Sequence, residues 1–296
     1  SASAGFGFAK EFSASQEMGA SFIFVGFLLW NARSYLRNIF VSAVLKRSRD
    51  PFRPKQNTTA EESLSYELSI LGWVASIIIL CLILNLAGMS FFIALAIILL
   101  YVMVCIILTW QVSNAGMLLV NPSFAPDNLM EGVLGSSRMG IANLTVLALM
   151  PRSLMRDQRE FMMPNIMHTL RISDSANLRR RSLLFVMFLA IIVAFPFAAY
   201  FSVRLNYFHP GVKGYAFSEQ SNPFHRLASL IESPTDTNLG QLTFIGIGAG
   251  FMVFLVLMRA KFLWWSLHPI GYTMFSSWAV LVLWFSFFLG WLMKSV

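Results

Sequence analysis

The sequence predicts an all-α polytopic transmembrane helical bundle of about six spans, with re-entrant or interfacial helices. Hydrophobic residues make up 57% of the 296 residues and charged residues only 12%, about half of the ~25% charged residues typical of soluble domains. Several stretches reach the ~20 apolar residues that cross the ~30 Å hydrocarbon core of a bilayer. Basic residues flank these stretches, as topology signals do. These observations predict a single membrane domain embedded in a lipid bilayer.

Six apolar stretches predict the spans. The first is short, but one apolar helical face continues past residue 31, which favours a single long tilted helix; a separate interfacial helix is the alternative. Residues 1–16 are small and polar and are expected outside the membrane. Gly88 leaves almost no loop between the second and third stretches, which predicts an antiparallel pair. The spans are predicted near residues 18–31, 68–87, 89–111, 182–203, 242–258 and 271–293.

Two longer regions separate the predicted spans, a cytoplasmic interfacial region at 112–181 and an external loop at 204–241. Within the first, residues 139–150 are apolar but number only 12, which is too few to span a bilayer and fits a re-entrant or buried segment. Residues 152–173 combine apolar and arginine side chains in patches. This pattern predicts an interfacial helix held by snorkelling arginines.

Basic residues set the predicted orientation. The loops after the first, third and fifth spans hold seven, eight and two of them, which is 17 of the 22 Lys and Arg residues. The positive-inside rule puts these loops in the cytoplasm and both termini outside. The net charge of +8 therefore reflects topology. Nucleic-acid binding is not expected, because no interleaved basic and aromatic surface is visible.

Two short motifs point to lipid or helix contacts. A run of three arginines precedes the fourth span and marks topology; a lipid-headgroup site is the alternative reading. The run is Arg179, Arg180 and Arg181. Alternating glycines in the fifth span contain a Gly-x-x-x-Gly pair, a spacing that lets another helix approach closely. The glycines are Gly246, Gly248 and Gly250.

No catalytic or metal-binding arrangement is visible in the sequence, so neither an enzyme nor a cofactor or metal site is expected. The four histidines are scattered without ligand spacing. Cys81 and Cys105 lie too far apart in the predicted hairpin for a disulfide, and two free thiols are expected. The predicted spans hold no Asp, Glu, Lys or Arg except Glu67 and Arg204 at their boundaries. This argues against a proton path carried by this chain alone.

The end of the third span is the main candidate for a solute site. A charge-free apolar run there meets polar and small residues, and irregular backbone at membrane depth requires protein or a water-filled cavity to cover it. A second break follows at His268-Pro269. Both breaks are expected to face one cavity for a neutral or zwitterionic solute; alternatively, the same groups end helices and satisfy one another. The candidates are Gln111, Ser113, Asn114, Gly116, Asn121, His268 and Tyr272.

Four stretches carry a family resemblance. They are FLWWSLHPIGYTMFSSW at 262–278, NLRRRSLL at 177–184, NPFHRLASLIESP at 222–234 and GFGFAKEF near the start. Together they resemble the C-terminal half of a family of large, uncharacterised bacterial polytopic membrane proteins, which implies the bacterial inner membrane. That family is distantly similar to oligopeptide transporters, which tend to carry an Arg-x-x-x-Glu-x-Gly break. Here Gly116 matches the glycine, whereas Trp110 or Gln111 and Asn114 replace the charged residues.

The resemblance and the breaks together predict a transporter-like membrane protein that moves a small peptide-like or chelate solute. The chain is expected to be part of a larger unit, with other membrane subunits or a missing N-terminal half as partners. The alternative is a structural or assembly subunit of a membrane complex that transports nothing. The neutral residues at the break, where the resemblance implies charged ones, leave both functions open.

Overall fold

The computed structural model describes the backbone of residues 2–45, 66–115, 122–154, 161–176, 180–208, 215–262 and 264–295. These residues form twelve helices and no strand, which confirms the predicted all-α fold class. The helices are α1 (Ala2–Leu45), α2 (Tyr66–Leu86), α3 (Phe91–Ala115), α4 (Pro126–Leu134), α5 (Ser136–Met139), α6 (Ile141–Leu154), α7 (Met162–Ser175), α8 (Arg180–Phe208), α9 (Tyr215–Glu232), α10 (Leu239–Lys261), α11 (Pro269–Tyr272) and α12 (Trp278–Ser295).

Five of these helices are long and apolar enough to cross a membrane, judged by length and composition within the described chain. Their apolar windows are Phe12–Val41, Leu68–Leu86, Phe91–Asn114, Ser182–Leu205 and Leu239–Lys261. Each window reaches the ~20 residues that a bilayer requires. The chain is therefore an integral membrane protein, and its orientation stays a prediction.

The sixth predicted span, at 271–293, is interrupted in the structure. The helix α11 ends at Tyr272, and α12 begins only at Trp278. Ser277 accepts a hydrogen bond from the backbone N–H of Val280 at 3.4 Å, so its hydroxyl caps the start of α12. The cap and the hydroxyl-rich segment before it leave α12 shorter than the expected span.

The helix α1 contains the predicted first span. It is one continuous helix of 44 residues, as the single-helix interpretation expected. The ring of Phe12 lies 4.2 Å from that of Phe244 in α10. Residues near Phe12 therefore pack against α10, ahead of the predicted start of the span near residue 18.

Two glycines bring α1 and α10 into close contact. A Cβ at Gly19 would overlap the backbone carbonyl of Ile245, and a Cβ at Gly248 would overlap that of Gln16. Only glycine allows this approach. Of the predicted packing glycines, Gly248 packs inside the chain, whereas a Cβ at Gly246 or Gly250 would meet no described atom within 4 Å.

The helices α1, α3 and α10 form the centre of the bundle and run in the same direction. Along α1, Met18 packs in the cluster of Val104 and Leu108 in α3, and Phe24 then lies 4.6 Å, between ring centroids, from Trp110 further along α3. The contacts of α1 with α10 also advance together, from Phe12 against Phe244 to Phe24 against Met252. This parallel core holds the most deeply buried side chains.

The predicted antiparallel pair is present as α2 and α3. The turn between them places Gly88 at φ +104°, a backbone conformation that favours glycine. The side chain of Asn85 donates to the carbonyl oxygen of Met89 at 3.1 Å and closes the turn. Cys81 packs in the core cluster of this hairpin, and both Cys81 and Cys105 are free thiols.

After the break, the chain returns along α3 instead of leaving the bundle. Met130 in α4 and Leu144 in α6 pack in the cluster that contains Ala94 near the start of α3. The backbone N–H of Ser90 donates to the side chain of Asn143 at 2.7 Å. The helix α6 has 14 residues, about 21 Å at 1.5 Å per residue, which is too short to cross a bilayer. This is the geometry of a re-entrant or buried segment.

The returning segment refines the boundary between the two predicted loop regions. The backbone N–H of Ser137, in the region expected in the cytoplasm, donates to Thr235, in the loop expected outside, at 3.2 Å. The backbone N–H of Asn238 donates to Gly132 at 3.0 Å. Residues near 132–137 therefore lie on the same side of the bundle as residues 235–238, so region 112–181 is not confined to one face.

Candidate functional site

A buried carboxyl group lies at the centre of the bundle. Glu17 in α1 is 0% exposed. The preceding residue, Gln16, packs against Gly248, which lies nine residues into the 23-residue α10. At 1.5 Å per residue, Glu17 is about 14 Å from one end of that helix and about 20 Å from the other. An ionisable side chain this far inside a helix bundle is a functional-site candidate. The predicted first span begins near residue 18, so Glu17 is not among the predicted site residues.

Two segments of irregular backbone supply the hydrogen bonds to Glu17. From the segment before α4, Ser123 donates its hydroxyl to Oε2 at 2.8 Å and its backbone N–H to Oε1 at 3.3 Å. From the break before α12, the hydroxyl of Ser276 lies in hydrogen-bonding contact with the same Oε2. The two serine hydroxyl oxygens lie 2.5 Å apart. Glu17 therefore ties both breaks to α1.

Gln111, a predicted site residue, is the second buried polar group that reaches a break. Its side chain is 2% exposed, and its Nε2 donates to the backbone oxygen of Thr273 at 3.1 Å and to the Thr273 hydroxyl at 2.9 Å. Its Oε1 is buried and has no hydrogen-bond partner among the described residues. Buried polar atoms usually have partners, so this oxygen is available to a water or solute molecule.

The rings at the two breaks also meet. The ring centroids of Trp110 and His268 are 6.1 Å apart. His268 Nδ1 accepts a hydrogen bond from the backbone N–H of Ile270 at 3.1 Å and so caps α11. Burial, followed by the charge of Arg259, lowers the pKa of His268. Tyr272 makes an edge-to-face contact with Phe251 in α10, with ring centroids 4.7 Å apart. The structure thus places the two predicted breaks side by side.

The remaining candidates are not brought into this cluster. Ser113 and Asn114 both donate to the backbone oxygen of Trp110 in their own helix, at 3.2 and 3.0 Å, as helix-ending residues do. Asn114 is exposed. Gly116, Asn121 and Arg179 lie outside the described residues, and of Arg180 and Arg181 only the backbone, at the start of α8, is described.

A cavity of about 670 Å³ opens beside Ser123, on the side of the bundle where α9 and α10 meet. Its lining is Phe12, Ala14, Ser15, Met18, Ser123, Phe124, Asn128, Glu131, Gly132, Arg226, Thr235, Asp236, Asn238 and Gln241. This volume lies within the ~300–1,000 Å³ of small-molecule sites. Ser123 lines the cavity and also bonds to Glu17, so the cavity and the Glu17 cluster adjoin at this residue.

The charges of the cavity are mostly acidic. Arg226 forms ion pairs with Asp127 at 2.9 Å and with Glu131 at 2.6 Å, so two carboxylates already occupy its guanidinium. Burial raises the pKa of Glu131, although Arg226 opposes this. Burial also opposes charge on Arg226, but Glu131 and Asp127 outweigh it and raise its pKa. Asp236 accepts a hydrogen bond from Ser137 at 2.9 Å and adds a further negative charge.

Comparison with known proteins gives a family and no further relative. The chain matches no curated protein and no solved structure. The expected likeness to oligopeptide transporters is therefore neither supported nor opposed by these comparisons. One family model covers the whole chain, residues 1–296, and the protein belongs to that family, which is described as "Family of unknown function (DUF6785)".

Proposed function

We propose that the chain is the solute-pathway part of a membrane transporter for a small, amine-bearing, peptide-like solute. The observation that carries this proposal is Ser123, which lines the cavity and bonds to the buried carboxyl group of Glu17 within a helix long and apolar enough to span a membrane. Two irregular segments end at this cluster, and transporters place their sites where broken helices meet. An ionisable side chain within a candidate membrane span is a functional-site hypothesis by default, which supports a solute pathway here.

The charges of the cavity favour a solute with an ammonium group. Glu131 and Asp236 line it, and the one lining cation, Arg226, is already paired with two carboxylates. Asn128, Asn238 and Gln241 add neutral groups that suit peptide amides. An ammonium group facing Asp236 and Glu131 would form charge-assisted hydrogen bonds, which are stronger than neutral ones.

Uptake into proteoliposomes tests this proposal. Radiolabelled triglycine is the probe, and N-acetyl-triglycine, which lacks the ammonium group, is the matched solute control. We expect Asp236→Asn to reduce triglycine uptake about tenfold or more, since a hydrogen bond to a charged group contributes about 1.5–3 kcal/mol. Glu232→Gln, an exposed carboxylate at the end of α9, should leave uptake unchanged. Equal uptake of both peptides, or none by the wild type, would overturn the proposal.

A second candidate function is that of a non-transporting assembly subunit. The exposure of α8 favours it, because none of the residues in its apolar window is buried in this chain. Gly246 and Gly250 also offer an open face on α10. This reading predicts that the chain co-purifies with other membrane subunits and that Gly250→Leu disrupts the complex. A monodisperse monomer that takes up triglycine would exclude it.

A further inference from the structure

We propose that Glu17 binds a proton and exchanges it with the cavity through the hydroxyl of Ser123. This inference rests on the proposed transport function for its coupling role, and the proton site itself stands on geometry. The residues involved lie far apart in sequence: Ser123 is 106 residues and Ser276 is 259 residues from Glu17. A local sequence motif therefore does not indicate this site.

The first step is a count of hydrogens. Glu17 Oε2, Ser123 Oγ and Ser276 Oγ form a triangle in which every pair lies within hydrogen-bonding distance. Each such contact requires one hydrogen between the two oxygens. The two serines supply two hydrogens. The third must come from the carboxyl group, so this triangle is satisfied by the protonated acid and not by the carboxylate.

The second step concerns charge. The titratable groups on the faces nearest this cluster are Tyr101 and Cys105 in α3, packed in the same cluster as Met18, and Glu131, Arg226 and Asp236 around the cavity. Within the described chain none of them forms a hydrogen bond or ion pair with Glu17. On α10 and in the break before α12, the described contacts of this part of α1 are with residues that carry no titratable side chain, such as Ile245, Gly248 and Ser276. A fully buried carboxylate without a cation is costly, which favours the neutral acid.

The third step is the route of the proton. Ser123 lines the cavity and also contacts Glu17. A proton donor in the cavity, either water or the ammonium group of a solute, can transfer a proton to Ser123 Oγ while the original hydroxyl hydrogen moves to Glu17 Oε2. Ser123 is left as it began, Glu17 gains one proton, and the donor loses one. The reverse transfer releases the proton into the cavity.

The consequence is a link between the proton and the two breaks. When Glu17 loses its proton, the contact between the hydroxyl oxygens of Ser123 and Ser276 loses its hydrogen. The two segments that carry these serines can then no longer stay at 2.5 Å. Protonation therefore favours the closed arrangement of the two breaks, and a ligand shifts an equilibrium by binding one arrangement better than the other.

Infrared difference spectroscopy of the purified wild-type protein tests the proton site without any solute. We expect a carboxylic-acid C=O band at neutral pH that shifts in heavy water and is absent in Glu17→Gln. The exposed control Glu232→Gln should keep the band. Persistence of the band in Glu17→Gln, or its absence from the wild type at neutral pH, would overturn the assignment.

Ser123→Ala provides a second arm that keeps the acid and removes the relay. We expect hydrogen–deuterium exchange of the Glu17 band to slow about 100-fold, at the lower end of what a positioned proton-transfer group contributes. Unchanged exchange would overturn the route through Ser123. If triglycine uptake fails in the wild type while the Glu17 band is present, the transport proposal fails and the proton site remains. The opposite pair of results removes the proton site alone.

Discussion

The helices α1 and α8 are both long and apolar, but α1 is partly buried inside the chain and α8 is not. The most apolar 18-residue stretch of α8 has a mean hydropathy of 2.6, against 1.3 for that of α1. Yet 44% of that stretch of α1 is buried inside the chain, and none of that stretch of α8 is. Lipid is as apolar as leucine, so the most apolar helices can face lipid, whereas small and polar residues mark the helices that face protein. The less apolar helix carries the site.

The comparison explains why the buried acid lies on α1. Close helix packing needs small residues, and Gly19 lets α10 approach within two residues of Glu17. The neighbouring polar groups then find partners inside the protein, as Glu17 does with Ser123 and Ser276. On α8, large side chains such as Phe195, which is 76% exposed, point away from the chain. The small and polar residues that lower the mean hydropathy of α1, such as Gly19 and Glu17, are the residues that contact other segments of the chain.

The largest expected effect comes from placing a large side chain where α1 and α10 are in close contact. Gly248→Leu places a side chain against the backbone of Gln16, and overpacking of this kind costs about 1–3 kcal/mol and sometimes more. We expect loss of the monodisperse species in detergent by size-exclusion chromatography. Gly250→Leu, two residues away on an open face, is the matched control. Equal behaviour of the two variants would remove the distinction between a packed and an open face of α10.

Truncation of a large side chain sharpens the contrast between interior and exterior. Met252 is 0% exposed in the α1–α10 contact, whereas Phe195 in α8 is largely exposed. We expect Met252→Ala to destabilise the protein by about 2–5 kcal/mol and Phe195→Ala to change stability by less than about 0.5 kcal/mol. Thermal unfolding in one detergent measures both. A comparable loss in Phe195→Ala would show that α8 is packed in the native assembly, which favours the second candidate function.

Two amide side chains near the end of α3 test whether the hydrogen bonds of Gln111 stabilise the break before α12. Gln111 donates two hydrogen bonds to Thr273. Among the described residues, Asn114 donates to the backbone oxygen of Trp110 and to the Ser113 hydroxyl, both in its own helix. We expect Gln111→Ala to cost about 1–3 kcal/mol of stability, because buried polar partners are left unpaired, and Asn114→Ala to cost less than about 0.5 kcal/mol. Chemical unfolding curves compare them. A larger effect at Asn114 would contradict the described contacts.

The smallest effect belongs to His268, at the rim of the core. Because burial and Arg259 lower its pKa, the folded state binds this proton less tightly than the unfolded chain. Its contribution to stability is therefore present above the unfolded pKa of about 6.5 and is lost as the pH falls below it. His268→Asn keeps a capping side chain and should show a shallower loss of thermal stability on acidification. Identical slopes for both proteins would contradict this.

Much of the fold follows from local sequence patterns. The second, third, fourth and fifth spans are apolar runs of sufficient length, and the hairpin turn follows from Gly88 between two such runs. The short segment near 139–150 is a helix packed on α3, as its length predicts. The two breaks that hold the candidates Gln111, His268 and Tyr272 are visible in the sequence as polar and proline-containing interruptions. The structure brings these breaks together, since Gln111 bonds to Thr273 and Trp110 lies beside His268. These features depend only on composition and spacing.

The rest of the site depends on contacts that no local pattern contains. Glu17 follows the polar residues Ser15 and Gln16, so the apolar stretch read from the sequence begins at Met18 and leaves Glu17 out of the predicted span. Its depth is set by Gly19 and Gly248, which become informative only when α1 and α10 are paired. Ser123 and Ser276 look like ordinary residues of irregular segments. Gly19, two residues after Glu17 at the edge of the predicted span, is a local signal that could have indicated a close helix contact there.

A measurement of proton movement driven by solute tests the central claim most directly. Proteoliposomes containing the protein and an internal pH-sensitive dye are given triglycine on the outside. We expect the interior to acidify with the wild-type protein and to stay at its starting pH with Glu17→Gln. Triglycine uptake without acidification in the wild type, or acidification that persists in Glu17→Gln, would contradict a transport site that is coupled to protons at Glu17.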